Sequence, residues 1–299
     1  MGKKIYVVVF GLNRNPDLVL PAFKRLISQL RDNGQVSVFL GFIVPDTDLV
    51  VNARSQEKVR ISDPYGDAWQ TFTDWPVFMW EQPLRNNCKY PSSANAHIAR
   101  KYLQICSKRI DPWGDGHKST CNYLNYLWGA RAFGQKLAET NCESSSLTLV
   151  LRPDIIYTLD SHFISTVKST ISGGIIDAIW TLGYQRYSFV NDRMFIGTWR
   201  NCLAIMRRVD WLGKYLRVPW RYLHAERFTQ HFISRSLKCE IRIAPPEVCA
   251  NRVRANNVVL NDAGVYVGNK TENEYRSYFK KLDRRAIAHL FRRKFGKQR

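Results

Sequence analysis

An arginine and a carboxylate two positions apart, directly after an apolar run, are the first residues here that could do chemistry. Arg152-Pro153-Asp154 follows Leu147 to Leu151. If that run is a strand of a parallel sheet, the pair sits at its carboxyl end, where such sheets bind ligands. A carboxylate there can hold a hard divalent cation while a guanidinium forks onto phosphate oxygens; the competing role for the same pair is a structural salt bridge. Two further clusters reach the same edge. Gly11-Leu12-Asn13-Arg14-Asn15 follows the first apolar run and brings Arg14 with backbone amides. Asn191-Asp192-Arg193 directly precedes the apolar stretch Met194 to Thr198. Glu226 lies at the start of a predicted helix, where a negative charge suits the dipole, and it reads either as a helix-start residue or as a general base.

Several familiar motifs fail. Trp113-Gly114-Asp115-Gly116-His117-Lys118-Ser119 echoes a phosphate loop, but His117 interrupts its core and no strand leads into it. GxGxxG and GxSxG are absent, and His224-Ala225-Glu226 lacks the PCxxC that a zinc deaminase would need downstream. Seven scattered cysteines without a CxxC pair suit reduced thiols and predict neither a disulfide framework nor a structural zinc.

The elements that must position these residues follow from periodicity. Ile5 to Phe10 reads as a strand, about Leu18 to Leu30 as a helix with Asp17 as its N-cap, and Val36 to Val44 as a second strand. Residues 45 to 113 lack sustained periodicity and read as loops and short helices facing substrate. Helices are expected over Ser119 to Glu139, Ser161 to Ile171, Arg200 to Trp211 and Ala225 to Leu237, and strands over Leu147 to Leu151, Ile175 to Thr181, Met194 to Thr198 and Glu240 to Ala244. This alternation implies a mostly parallel sheet with helices on both faces.

Composition sets the class. Hydrophobic residues make up 45% and aromatics 13% of the 299 residues, which assures a core. Forty-five Lys and Arg against 25 Asp and Glu give a net charge of +20, so the expected partner is anionic. No signal pattern or membrane-spanning stretch is read, and a cytoplasmic location is expected. The segment from about Tyr275 to Arg299 places Ile287, Leu290, Phe291 and Phe295 among many arginines and lysines, as in a helix resting on an anionic membrane surface or docked on the domain with a solvated basic side.

The blocks GLNRN, LRPD, NDRMFIGT, HAERFTQHFI and RVRAN, in that order over about residues 5 to 262, resemble the small glycosyltransferases of microbial and large-virus glycan gene clusters, and more widely the GT-A layout. The resemblance implies an α/β, GT-A-like (Rossmann-like), mostly parallel sheet flanked by helices over residues 1–265, with a basic helical extension over 266–299. It implies a nucleotide-sugar-dependent hexosyl- or pentosyltransferase that moves a sugar from a nucleotide diphosphate donor to a glycan or glycoconjugate, with inversion. Donor contacts then fall to Gly11, Leu12, Arg14, Arg152, Asp154, Arg193 and Arg254, and the catalytic base to Glu226 or Asp192. Asp154 stands at the metal-binding DxD position and would carry Mn or Mg, although Arg152 replaces the first acid. Glu226 resembles the xED acid, with Arg227 in place of the second.

Three rivals remain open. Basic charge with many aromatics also suits a nucleic-acid-binding protein, but no recognition module appears and no nucleic acid is expected. A catalytically inactive membrane-apposed scaffold would use only the basic tail. A nucleotidyl or phosphoryl transferase would use the same sheet edge.

Overall fold

The computed structural model describes residues 4–44, 49–52, 57–61, 63, 65–81, 94–183, 190–245, 247–253, 259–260 and 272–295. The chain opens with β1 (Ile5–Gly11), α1 (Pro16–Arg31) and β2 (Val36–Val44), as the periodicity predicts. Pro16 rather than Asp17 starts the helix. Its fixed φ and missing N–H suit the first helical position, and Asn15 is the N-cap residue. Between residues 45 and 113, where loops and short helices were expected, lie a 3-10 helix (Asp67–Phe72) and the helix α2 (Ala94–Ser107), but also the antiparallel hairpin β3 (Leu49–Asn52) and β4 (Glu57–Arg60) and the strand β5 (Phe78–Glu81).

Next come α3 (Lys118–Ala138), β6 (Leu147–Leu151), β7 (Ile155–Thr158), α4 (Ser161–Ser172), β8 (Ala178–Thr181), β9 (Phe195–Thr198) and α5 (Trp199–Met206). A 3-10 turn (Arg208–Trp211), α6 (Leu212–Tyr215), α7 (Ala225–Phe232) and a π-helical turn (Ile233–Leu237) lead to β10 (Glu240–Ile243), β11 (Cys249–Val253) and β12 (Val259–Leu260). The helix α8 (Glu272–Phe295) follows.

Seven strands form one sheet in the order β10-β8-β9-β6-β1-β2-β5. All neighbours run parallel except β9, which is antiparallel to both β6 and β8. The fold is therefore α/β with a mostly parallel sheet flanked by helices, compatible with a Rossmann-like arrangement. A second, three-stranded sheet, β12-β11-β7, escaped the sequence reading.

Along β1 alternate residues enter opposite cores, as the two-residue period of a strand requires. Ile5, Val7 and Val9 join α1 and α4, whereas Tyr6, Val8 and Phe10 join α3 and α5. A strand covered on both faces reads as continuous apolar sequence, which is why β1, β2 and β6 were legible. The helix α3 lies close on its sheet face through Gly129. A Cβ there would meet Trp80 at 2.7 Å and Phe10 at 2.8 Å. Gly129→Ala should therefore cost about 1–3 kcal/mol through overpacking, read as a lower denaturant midpoint at unchanged slope.

Candidate active site

The chain runs from β1 outward to β2 and β5 and then returns to the other side of β1 as β6, so β1 and β6 flank a topological switch, where ligand crevices form in open α/β sheets. At the carboxyl end of β1, Gly11 has φ +150, a backbone angle that L side chains rarely adopt. A Cβ on Gly11 would stand 3.1 Å from Pro153 Cδ, so the turns after β1 and β6 touch. Leu12 is half-buried beside them, and Asn13, fully buried, donates its amide to the carbonyl of Asp63.

That contact brings the first two clusters together. Arg152 Nε and Nη2 donate to Asp154 Oδ1 and Oδ2, each at 2.9 Å, and Arg14 Nε approaches Oδ2 at 3.4 Å. Asp154 is fully buried. Burial alone would raise its pKa; Arg152 and Arg14, with Arg252 behind them, outweigh burial and hold the carboxyl far below the usual range.

The third cluster arrives because β9 is reversed. Phe195 pairs with Val150, so the residues that lead into β9 lie at the carboxyl end of β6. Tyr157 on β7 ties this segment to the Arg-Pro-Asp turn: its hydroxyl accepts from the Arg152 N–H at 2.9 Å and donates to the Arg193 carbonyl at 2.7 Å. The Arg193 N–H in turn donates to Asn191 Oδ1 at 2.9 Å.

Asp192 lies in the resulting field of arginines. Burial, and then the Glu226 carboxylate, push its pKa up against the pull of Arg152, Arg193 and Arg208. Glu226 goes the other way. Burial works against its ionisation, but His224 overcomes it, with Nδ1 at 3.0 Å from Oε2, and Arg193 adds to the effect. The two carboxyls are thus pushed in opposite directions, and Glu226 is the one held ionised.

No protein-family model and no curated protein matches the chain.

Glu226 stands in the first turn of α7, where the helix dipole favours its charge. His224 stacks on Trp113, with ring centroids 5.2 Å apart and planes 16° from parallel. The glycine-rich segment that fails as a phosphate loop therefore has a different place in the fold. The Asp111 carboxylate accepts from the backbone N–H groups of Trp113, Asp115 and His117 at 3.0, 2.8 and 2.9 Å. The turn so formed sets Trp113 against His224 beside the acid pair.

The structure thus brings together Gly11, Leu12, Arg14, Arg152, Asp154, Asp192, Arg193 and Glu226, all named from sequence. Arg254 lies outside the described residues. Arg252, two residues earlier in the chain and not named from sequence, acts on Asp154. Also missed were His224, Trp113 and Arg208. Arg208 is fully buried, its guanidinium 5.5 Å from the Tyr126 ring, and Tyr123 and Tyr126 outweigh burial to raise its pKa. Sequence gave no signal for it, since a lone arginine in a helical stretch is ordinarily exposed.

A divalent cation on Asp154 does not fit these residues. Both carboxylate oxygens already accept from arginine, and among the described residues no group of three His, Cys, Asp or Glu could hold a metal ion. What the arrangement offers to an anionic ligand is a set of cations at the switch point, beside a carboxylate pair of unequal basicity.

Proposed function

We propose that the chain is a glycosyltransferase that moves a sugar from a nucleotide diphosphate donor to a hydroxyl of a glycan or glycoconjugate, with a GT-A-like fold. The observation that carries this reading is the convergence of Arg14, Arg152, Arg193 and Arg252 with the Asp192–Glu226 pair at the β1/β6 switch point. A diphosphate leaving group needs its developing charge neutralised, and an acceptor hydroxyl needs a base. The positive charge that the arginines carry in excess of Asp154 supplies the first and Asp192 the second.

Asp192 is the better base of the two, because a base whose pKa is raised toward the working pH drives proton transfer more effectively. Glu226, held ionised beside His224, keeps Asp192 basic by repulsion. The reaction is a single in-line displacement: the acceptor oxygen attacks the anomeric carbon, its proton passes to Asp192, and the diphosphate departs with the bonding electrons toward the arginines. The product carries the inverted anomer. NMR of the product tests this directly, and a retained anomer would overturn the in-line step.

The deciding experiment is a thermal-shift series of the purified chain with UDP-, GDP-, CMP- and dTDP-sugars, each with Mn²⁺ and with EDTA. A donor that binds only the native state raises the melting temperature by mass action, by about 2.7 kcal/mol of added stability at a hundredfold excess over Kd. One donor should stabilise the chain in EDTA as well as in Mn²⁺, since the arginines carry the charge, and Arg14→Ala should lose most of that gain. Stabilisation by none of them, together with tight salt-sensitive binding of single-stranded oligonucleotides, would replace this reading with a nucleic-acid one.

A further inference from the structure

Far along the chain from the arginine cluster, α8 covers the segment that leads into α7. Leu282 and Ala286 are buried against Tyr222, with Ile110 packed beside them, and Asp283 takes the Arg227 guanidinium in a forked pair. Among the described side chains of α8, Leu282 and Ala286 are the buried ones, while Ile287 and Phe291 of the apolar stripe read from sequence face outward. Ile287 is 41% and Phe291 57% exposed.

These exposed apolar groups have company. Trp220 is 47% exposed, on the loop before α7. Arg109 fixes that loop by donating to the carbonyls of Val218 at 3.0 Å and Leu216 at 2.6 Å, and also to that of Arg221. Between the loop, the end of α2 and α8 opens a cleft of about 220 Å³. Trp220, Ile110 and Leu290 give it an apolar lining, and Lys108 and His289 bring nitrogen atoms beside the Arg109 guanidinium that holds the loop; among the described residues no acidic side chain lines it. Lys280, Lys281, Arg284, Arg285 and Arg292 are exposed along α8, whose sequence holds eight Lys or Arg against three acids.

We propose that α8 and the Trp220 loop form a docking face for an anionic lipid bilayer, with the cleft receiving part of an acidic lipid. The combination is that of an interfacial surface: cations matched to lipid phosphates, and exposed aromatic and aliphatic groups that enter the headgroup boundary. Among the described residues no helix is long and apolar enough to cross a membrane, so contact through this face is peripheral. Because Arg227 follows Glu226 directly and pairs with Asp283, the docked helix is joined to the helix that carries the acid of the candidate site. Docking would hold that site at the bilayer surface.

The test is flotation of the full chain with vesicles of equal parts phosphatidylcholine and phosphatidylglycerol, against vesicles of phosphatidylcholine alone, without any sugar donor. The protein should float with the anionic vesicles only, and raised salt should release it. The double variant Arg284→Glu/Arg285→Glu should weaken binding at least tenfold, given roughly 1 kcal/mol for each basic residue at such a surface. Trp220→Ala/Phe291→Ala should weaken it too with only a small loss of melting temperature, because about half of each side chain is already exposed. Equal partition to both vesicle types, no flotation, unchanged binding by the charge-reversed variant, or complete displacement by single-stranded oligonucleotide would each overturn the proposal. A chain that ignores vesicles but is stabilised by a nucleotide sugar loses only this docking face; one that floats but binds no donor loses only the glycosyltransferase reading.

Discussion

Asp192→Asn should lower the turnover number by a factor on the order of 10²–10⁴, the range a positioned general base contributes, with little change in donor KM. Asparagine keeps the shape of the side chain and cannot take the acceptor proton. Glu226→Gln should behave differently. With the glutamate charge gone, Asp192 loses the repulsion that helps to raise its pKa, while Arg152, Arg193 and Arg208 continue to lower it. A base works only when deprotonated, so the rate climbs with pH through the pKa of Asp192, and lowering that pKa moves the acid limb of the profile to lower pH. The measurement is kcat/KM against pH for wild type and both amides, with near-UV circular dichroism to confirm that each is folded. An inactive Glu226→Gln beside an active Asp192→Asn would exchange the two roles. An unshifted acid limb in Glu226→Gln would remove the electrostatic link between them.

What could be read in advance divides along burial. Strands covered on both faces announce themselves as unbroken apolar runs, so β6 and, to within a residue, β1 lie where the sequence places them. Ile175 and Ile176 continue such a run on paper, yet both are exposed. The chain turns there on Gly173-Gly174, with Ile175 N–H donating to the Thr170 carbonyl, and β8 begins only at Ala178. The small sheet of β7, β11 and β12 was invisible for the opposite reason: Cys249–Val253 is short and half polar, and its pairing with Ile155–Thr158 depends on contacts nearly a hundred residues apart. The clusters at the sheet edge were legible because polar residues directly after an apolar strand have one place to go. Their mutual pairing was not, since the Gly11–Pro153 contact and the reversal of β9 that bring them together are tertiary facts.

That pairing sets the largest expected effect on stability. Asp154→Asn leaves the Arg152 and Arg14 guanidinium groups facing an amide inside the protein. Removing one partner of a buried ion pair costs about 3–5 kcal/mol. For a chain of this size, at about 2–4 °C per kcal/mol, the melting temperature should fall on the order of 10 °C. The sign of the pH dependence follows from the same pair. The folded pKa of Asp154 lies below its unfolded value of about 3.9, so the pair's contribution is complete above about pH 5 and fades as pH falls through the unfolded value toward the folded one. The wild type should therefore lose stability over this acid range more steeply than Asp154→Asn, and the two melting curves should converge. The same variant separates the ion pair from metal ligation. A wild-type melting temperature at neutral pH, combined with loss of a Mn²⁺-dependent stabilisation, would make Asp154 a cation ligand after all. A large drop that is identical in Mn²⁺ and EDTA is the result that two arginines on one buried carboxylate require.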